Sequence, residues 1–190
     1  MAASDAFVLL LTGPAGAGKS AAAREWAASR ASTTAHIPVD DVRELVVAGF
    51  ADPREGWTAE TQRQYDLARR NCAAMAKNNV AAGVTTVIDD AIFPHWESCD
   101  YAGWRAALGE TPHYLVALLP DETAVITRNA RRHGRRLLAP EMLHVIYEMM
   151  EPWRDQRRVP VLDTTNLLIP EVALAIQRAV ETLRASGDSG

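Results

Sequence analysis

Short apolar runs alternate with longer stretches of helical spacing along the whole 190-residue chain. Runs rich in leucine and β-branched residues at 7–11, 36–39, 84–88, 113–119 and 159–162 are predicted as strands. The longest helical pattern lies at 59–82, with Leu67, Cys72, Met75, Ala76 and Val80 on its apolar side and Arg63, Arg69 and Arg70 expected in solvent. This alternation predicts an α/β fold, a parallel sheet covered by helices on both faces. Ligands of open sheets of this kind bind beyond the carboxyl ends of the strands, so the residues just after each apolar run are the ones that matter for chemistry. No repeat or linker interrupts the pattern, and one domain over 1–190 is expected, long enough to bury a core. The end of the chain, 185–190, is expected to be disordered.

The first strand runs into Gly13-Pro14-Ala15-Gly16-Ala17-Gly18-Lys19-Ser20, and a helical segment follows. This is the phosphate-binding P-loop pattern in its strand-to-helix context. The glycines let backbone N–H groups turn toward a phosphate, and the helix N-terminus adds unsatisfied donors and the positive end of its dipole. Lys19 is placed to bridge β- and γ-phosphates, and Ser20 to offer its hydroxyl to Mg²⁺. Lysine is otherwise scarce: Lys77 is the only other one. The residues from Gly13 to Ser20, Ala15, Gly16, Ala17 and Gly18 included, form the expected nucleotide cradle.

The later strand ends carry charge. Asp40 and Asp41 follow the second strand and lead into a helix expected to end near Gly49. Acids there cap a helix start without any substrate, or Asp40 faces the P-loop and accepts a proton from a substrate hydroxyl. Arg43, a helical turn on, either clamps an anionic or hydroxylated substrate or sits in solvent as a surface arginine. Asp89 and Asp90 follow the third strand at the position that holds Mg²⁺ opposite a P-loop serine or contacts the substrate. In extended backbone two adjacent acids point to opposite sides. Phe93 and Trp96 offer a pocket wall nearby, or ordinary packing, and the Gly- and Pro-containing loop 49–58 with Phe50 and Trp57 either folds over a substrate or staples the next helix. After the fourth strand, Arg128, Arg131, Arg132, Arg135 and Arg136 crowd around Gly134. Such a run is either a solvated face or a lid, over about 128–140, that closes on a triphosphate; Arg128, Arg132 and Arg135 share a face if the helix continues. After the fifth strand, Thr164 and Thr165 offer polar groups to an adenine edge or cap the last helix.

Composition narrows the field. A formal net charge of −4 provides no basic field for a polynucleotide, so nucleic acid is disfavoured as a partner. Cys72 and Cys99 lack the number and spacing of a metal or disulfide framework and are expected to be small buried residues of a reducing compartment. The apolar run 7–11 is too short to span a bilayer and has no basic segment before it, so no membrane association and a cytoplasmic location are expected.

With these residues in view, the chain resembles the P-loop small-molecule kinases, and most closely the chloramphenicol phosphotransferase group, over nearly its whole length. The resemblance rests on Gly13 to Ser20, Val39-Asp40, Ile88-Asp89-Asp90, the spacing of Arg128, Arg132 and Arg135, and Val161-Leu162-Asp163-Thr164-Thr165. Gluconate, shikimate and adenylylsulfate kinases and zeta-type toxins are similar more distantly. The resemblance implies a three-layer α/β/α P-loop NTPase fold of the NMP-kinase-like type, with a five-stranded parallel sheet in the order 2-3-1-4-5. It implies ATP and Mg²⁺ as cosubstrate and metal, and a hydroxylated small molecule, such as an antibiotic, nucleoside or sugar-like metabolite, as acceptor. Asp40 falls at the family's catalytic base, with Lys19, Arg132 and Arg135 stabilising the transferred group. The other readings are a kinase of a nucleic-acid end and a nucleotide-dependent switch or binding module with slow ATPase activity.

Overall fold

The structure, a computed structural model, describes residues 5–187. Its strands are β1 (Val8–Thr12), β2 (Thr34–Pro38), β3 (Thr85–Asp89), β4 (His113–Leu118) and β5 (Val161–Leu162), joined in parallel in the order β2-β3-β1-β4-β5. The helices are α1 (Lys19–Ser29), α2 (Val39–Arg43), α3 (Ala59–Ala81), α4 (Tyr101–Leu108), α5 (Glu122–Asn129), α6 (Pro140–Met150) and α7 (Ile169–Ser186).

The central strand explains the continuous apolar run. Every residue of β1 is buried, because both of its faces are covered. Val8 and Leu10 face a cluster with Ile88, Tyr65, Cys72 and Trp104 under α3 and α4, whereas Leu9 and Leu11 face Trp26, Val87, Val172 and Ile176 under α1 and α7. Register then assembles the functional edge: Leu11 pairs with Asp89 and with Val116, and Pro38 pairs with Asp89. The carboxyl ends of β1, β2, β3 and β4 therefore lie side by side.

Several local expectations shift. Val39 opens α2 instead of closing β2, and α2 stops at Arg43, followed only by hydrogen-bonded turns to Val46. The outer strand β5 shortens to two residues, directly after Pro160. On α3 the buried side is Thr61, Gln64, Tyr65, Ala68, Cys72, Ala73 and Ala76, while Met75 is exposed. Small residues let this helix lie close to its neighbours, a choice that apolar spacing alone does not reveal. Arg63 and Arg70 are exposed, but Arg69 is partly buried over the Tyr65 ring and bonded to Asp66. A Cβ on Gly103 of α4 would come within 1.9 Å of Arg69 Nη1, so that glycine makes its room. The tail expected to be disordered is helical through Ser186, and 188–190 lie outside the described residues. Cys72 and Cys99 are buried and unbridged. No helix among the described residues is long and apolar enough to cross a membrane.

Candidate active site

The loop from Gly13 to Gly18 folds against the start of the α5 region, which dictates two of its glycines. Gly13 has φ +144°, and a Cβ there would sit 2.1 Å from the Leu118 carbonyl oxygen. Gly16 has φ +91°, and a Cβ would sit 2.6 Å from the Val125 carbonyl oxygen. Lys19 Nζ donates to the carbonyls of Gly13 (2.7 Å) and Pro14 (3.2 Å), which holds the ammonium across the loop. Burial pulls its pKa below the usual lysine value, against the opposing charges of Asp89 and Asp40. Gly16, Gly18, Lys19 and Ser20 line an open cavity of about 590 Å³. Ala15 lies on the opposite side of the loop, and Ala17 is buried with its N–H donated to Pro14 O at 3.1 Å.

The two acids at the end of β3, Asp89 in the strand and Asp90 after it, have separate environments, as extended backbone requires. Asp89 accepts a hydrogen bond from the Ser20 hydroxyl and lies 3.2 Å from His36 Nε2. Burial pushes its carboxyl upward, but the His36 and Ser20 hydrogen bonds and the Lys19 charge together outweigh it and hold the pKa below the ordinary carboxylate value. Asp90 turns to the other side of the sheet. Its Oδ2 accepts from Tyr65 Oη (2.5 Å) and Trp104 Nε1 (2.9 Å), and its Oδ1 from Ala91 N (2.8 Å). Burial nevertheless raises its pKa. Of the two expected metal-binding acids, Asp89 alone stands beside Ser20, and the oxygens of Asp90 are already engaged by protein donors. Ser20 and Asp89 are hard oxygen donors of the kind Mg²⁺ takes one or two of, completing its shell with phosphate and water, so the residues present fit that ion. No cluster of three or more His, Cys, Asp or Glu side chains that could hold a metal by themselves occurs among the described residues.

A second cavity, of about 320 Å³, opens on the other side of Lys19 and Ser20. Asp40 stands at its rim with 81 % of its side chain exposed, paired with Arg43 at 3.6 Å. The two acids of α2 lie in its first turn and make no side-chain cap. Arg43 is buried, contrary to the surface reading, with its guanidinium 5.8 Å from the Phe50 ring centre. Phe93 and Trp96 line the cavity as expected, with ring centres 5.1 Å apart. Trp57 joins them, 4.5 Å from Trp96, and its Nε1 donates to Gln62 Oε1 at 2.9 Å. The loop thus both anchors the start of α3 and walls the cavity.

The arginine segment departs from a continuous helix. Helix α5 ends at Asn129, and a short 3₁₀ turn spans Gly134–Arg136, so the four-and-three spacing does not place Arg128, Arg132 and Arg135 on one face. Arg128 is held back by the carbonyls of Thr164 (2.7 Å) and Thr165 (3.0 Å). It lines the P-loop cavity beside Lys19 and Ser20 and, with Thr165, a separate hollow against Asp121 and Asn166, while Thr164 is buried with an unpartnered hydroxyl. Arg132 lines both large cavities and the smaller compartment between α2 and the arginine segment. Arg136 pairs with Asp41 at 2.9 Å. The side chain of Arg135 lies outside the described residues. No motif in the sequence marks His36, Tyr65 and Trp104, whose roles depend on distant partners, or the α6 side chains Met142, Ile146 and Met149 that line the second cavity. The last three stand at helical spacing, which is the signal that could have marked them.

A parallel sheet of this order with a glycine loop around a half-buried lysine and an acid beside its serine defines a P-loop nucleotide-binding protein. The chain belongs to the family described as AAA domain (AAA_33), whose model matches residues 8–144. Among solved structures, the fold is shared with an unliganded sugar kinase from Janibacter sp. HTCC2649, at 17 % identity and TM-score 0.68, covering 93 % of this chain and 95 % of that one. It is shared also with shikimate kinase from Acinetobacter baumannii in complex with shikimate, at 14 % identity and TM-score 0.61, covering 94 % and 95 %. No curated protein matches the sequence.

Proposed function

We propose that the protein is an ATP- and Mg²⁺-dependent kinase that transfers the γ-phosphoryl group to a hydroxyl of a small molecule. One observation carries the reading: the P-loop cavity and the aromatic-walled cavity meet at Lys19, Ser20 and Arg132, with Asp40 on the second side. A transferred group at that junction has cations on it and a carboxylate behind the acceptor. The two kinases that share the fold support it, since one is a sugar kinase and the other is bound to shikimate.

In this reading the backbone of the Gly13–Ser20 loop cradles the β-phosphate, and Lys19 leaves its loop carbonyls to reach the β- and γ-phosphates. Asp89 and Ser20 would hold Mg²⁺, which would supply charge neutralisation on the phosphates when bound. Asp40 receives the proton of the acceptor hydroxyl as its oxygen bonds to the γ-phosphorus. The bond from that phosphorus to the β–γ bridging oxygen breaks, and ADP leaves. Arg132 stabilises the charge on the phosphoryl oxygens. Arg128 and Thr165 border the adenine, with Thr164 buried behind them. An acceptor panel of hydroxylated metabolites, sugars, nucleosides and antibiotics, assayed for acceptor-dependent ADP release with mass spectrometry of products, tests this. A mono-phosphorylated product supports it, and ADP release that no compound accelerates counts against it.

A further inference from the structure

Arg43 is 9 % exposed, and its Nε and Nη2 have no hydrogen-bond partner. Its Nη1 lies 3.6 Å from Asp40 Oδ1, too far for a good hydrogen bond and toward a carboxylate that is mostly in water. A buried guanidinium with unfilled donors is unfavourable, and proteins normally pair such a group. Here the nearby protein groups do not. The ring of Phe50 meets the cation, and the neighbouring Arg54 is already bonded through Nε to both oxygens of Asp52. The unfilled pair, Nε and Nη2, is the edge through which arginine grips a carboxylate or phosphate with two parallel hydrogen bonds.

One wall of the same cavity is aromatic, and Met142, Ile146 and Met149 of α6 add apolar surface to it. Trp57 and Trp96 stand edge to face at 4.5 Å, with Phe93 against Trp96 and Tyr65 behind Trp57 at 5.8 Å. The Trp57 indole is fixed by its bond to Gln62, so the wall is rigid before any ligand arrives. The volume of about 320 Å³ is roughly twice the ~150 Å³ that holds a benzene ring, enough for one substituted ring. Resting on the kinase reading for its hydroxyl at Asp40, we infer that the acceptor is a hydroxylated acid with a flat, apolar body: its anionic group is seated on Arg43, its ring on Trp57 and Trp96.

The test separates binding from transfer. A panel of aryl hydroxy acids from mandelate to 3-(hydroxyphenyl)propanoate, each beside its methyl ester and its phosphonate counterpart, is titrated calorimetrically into the ADP-bound protein and into Arg43→Gln and Arg43→Met. Wild type is expected to bind at least one acid or phosphonate about tenfold or more tightly than the matching ester, and both variants to lose that preference. The carboxylate and phosphonate arms say which anion the edge takes. Arg43→Met is expected to unfold in urea at or above the wild-type midpoint, because it removes a buried guanidinium with two unfilled donors; a large drop would mark Arg43 as a structural residue and overturn the inference. Equal binding of acids and esters, no binding of any anion, or a preference that survives in the variants also overturns it. Selective anion binding without phosphorylation would leave this inference standing and remove the kinase reading. Phosphorylation of neutral alcohols alone would do the reverse.

Discussion

Arg136, on the turn after α5, donates to Asp41 of α2 at 2.9 Å, across 95 residues of chain. This pair ties the arginine segment to the helix that carries Asp40 and Arg43, so the two sides of the smaller compartment are joined by an ion pair at its rim. Both side chains are largely in solvent, and an exposed pair of this kind contributes about 0.2–1 kcal/mol. Asp41→Asn is therefore expected to leave the urea midpoint nearly unchanged while loosening the arginine segment. Limited proteolysis should then cut faster within 130–139 in the variant, and high salt should bring wild type toward the variant's rate.

Asp40 is the acid closest to the shared junction that no strong internal hydrogen bond occupies. Asp40→Asn is expected to reduce acceptor-dependent turnover by at least about a hundredfold with ATP affinity largely retained. Near-wild-type turnover in a folded variant would remove the base role from Asp40.

The backbone of the loop leaves no room at its first glycine. Gly13→Ala would place a methyl group 2.1 Å from Leu118 O, in a backbone conformation that alanine rarely adopts. It is expected to lower stability by about 1–3 kcal/mol or more and to abolish nucleotide binding, read by urea unfolding and calorimetry. An alanine variant that binds ATP as wild type does would show that the loop relaxes in a way this packing does not permit.

Asp89 and Asp90 should affect acid stability in opposite directions. The folded pKa of Asp89 lies below its ordinary 3.8, so its contribution is present above that pH and is lost as pH falls through the folded value. The folded pKa of Asp90 lies above 3.8, so its contribution is present below that pH and is lost as pH rises through the folded value. Relative to wild type, Asp89→Asn should lose stability as pH rises toward about 3.8, and Asp90→Asn should gain it as pH rises beyond. Urea unfolding over an acid-to-neutral pH series gives both slopes, and parallel slopes would contradict the separate environments of the two acids.

Much of the frame is legible along the chain. The five apolar runs locate the strands to within a few residues, most plainly for the inner strands β1, β3 and β4, which are covered on both faces and so read as continuous runs, and the P-loop octet is a contiguous pattern. The helix ends were less legible. Arg128, Arg132 and Arg135 read as one face only because nothing in their spacing announces that α5 stops at Asn129. Arg43 reads first as a surface residue, since α2 alone does not say what covers it.

A contiguous motif announces the phosphate loop, and Lys19 bonds back to Gly13 and Pro14 within it, although Gly13 and Gly16 also pack against Leu118 and Val125 far along the chain. Tertiary packing decided the rest: Asp89 meets His36 across 53 residues, Asp90 meets Tyr65 across 25, and Arg128 meets Thr164 across 36. Which of two adjacent carboxylates faces the serine, and whether a guanidinium is buried without a partner, are properties of such long-range contacts. They exist only once the sheet has brought its strand ends together, and no period or motif along the chain encodes them.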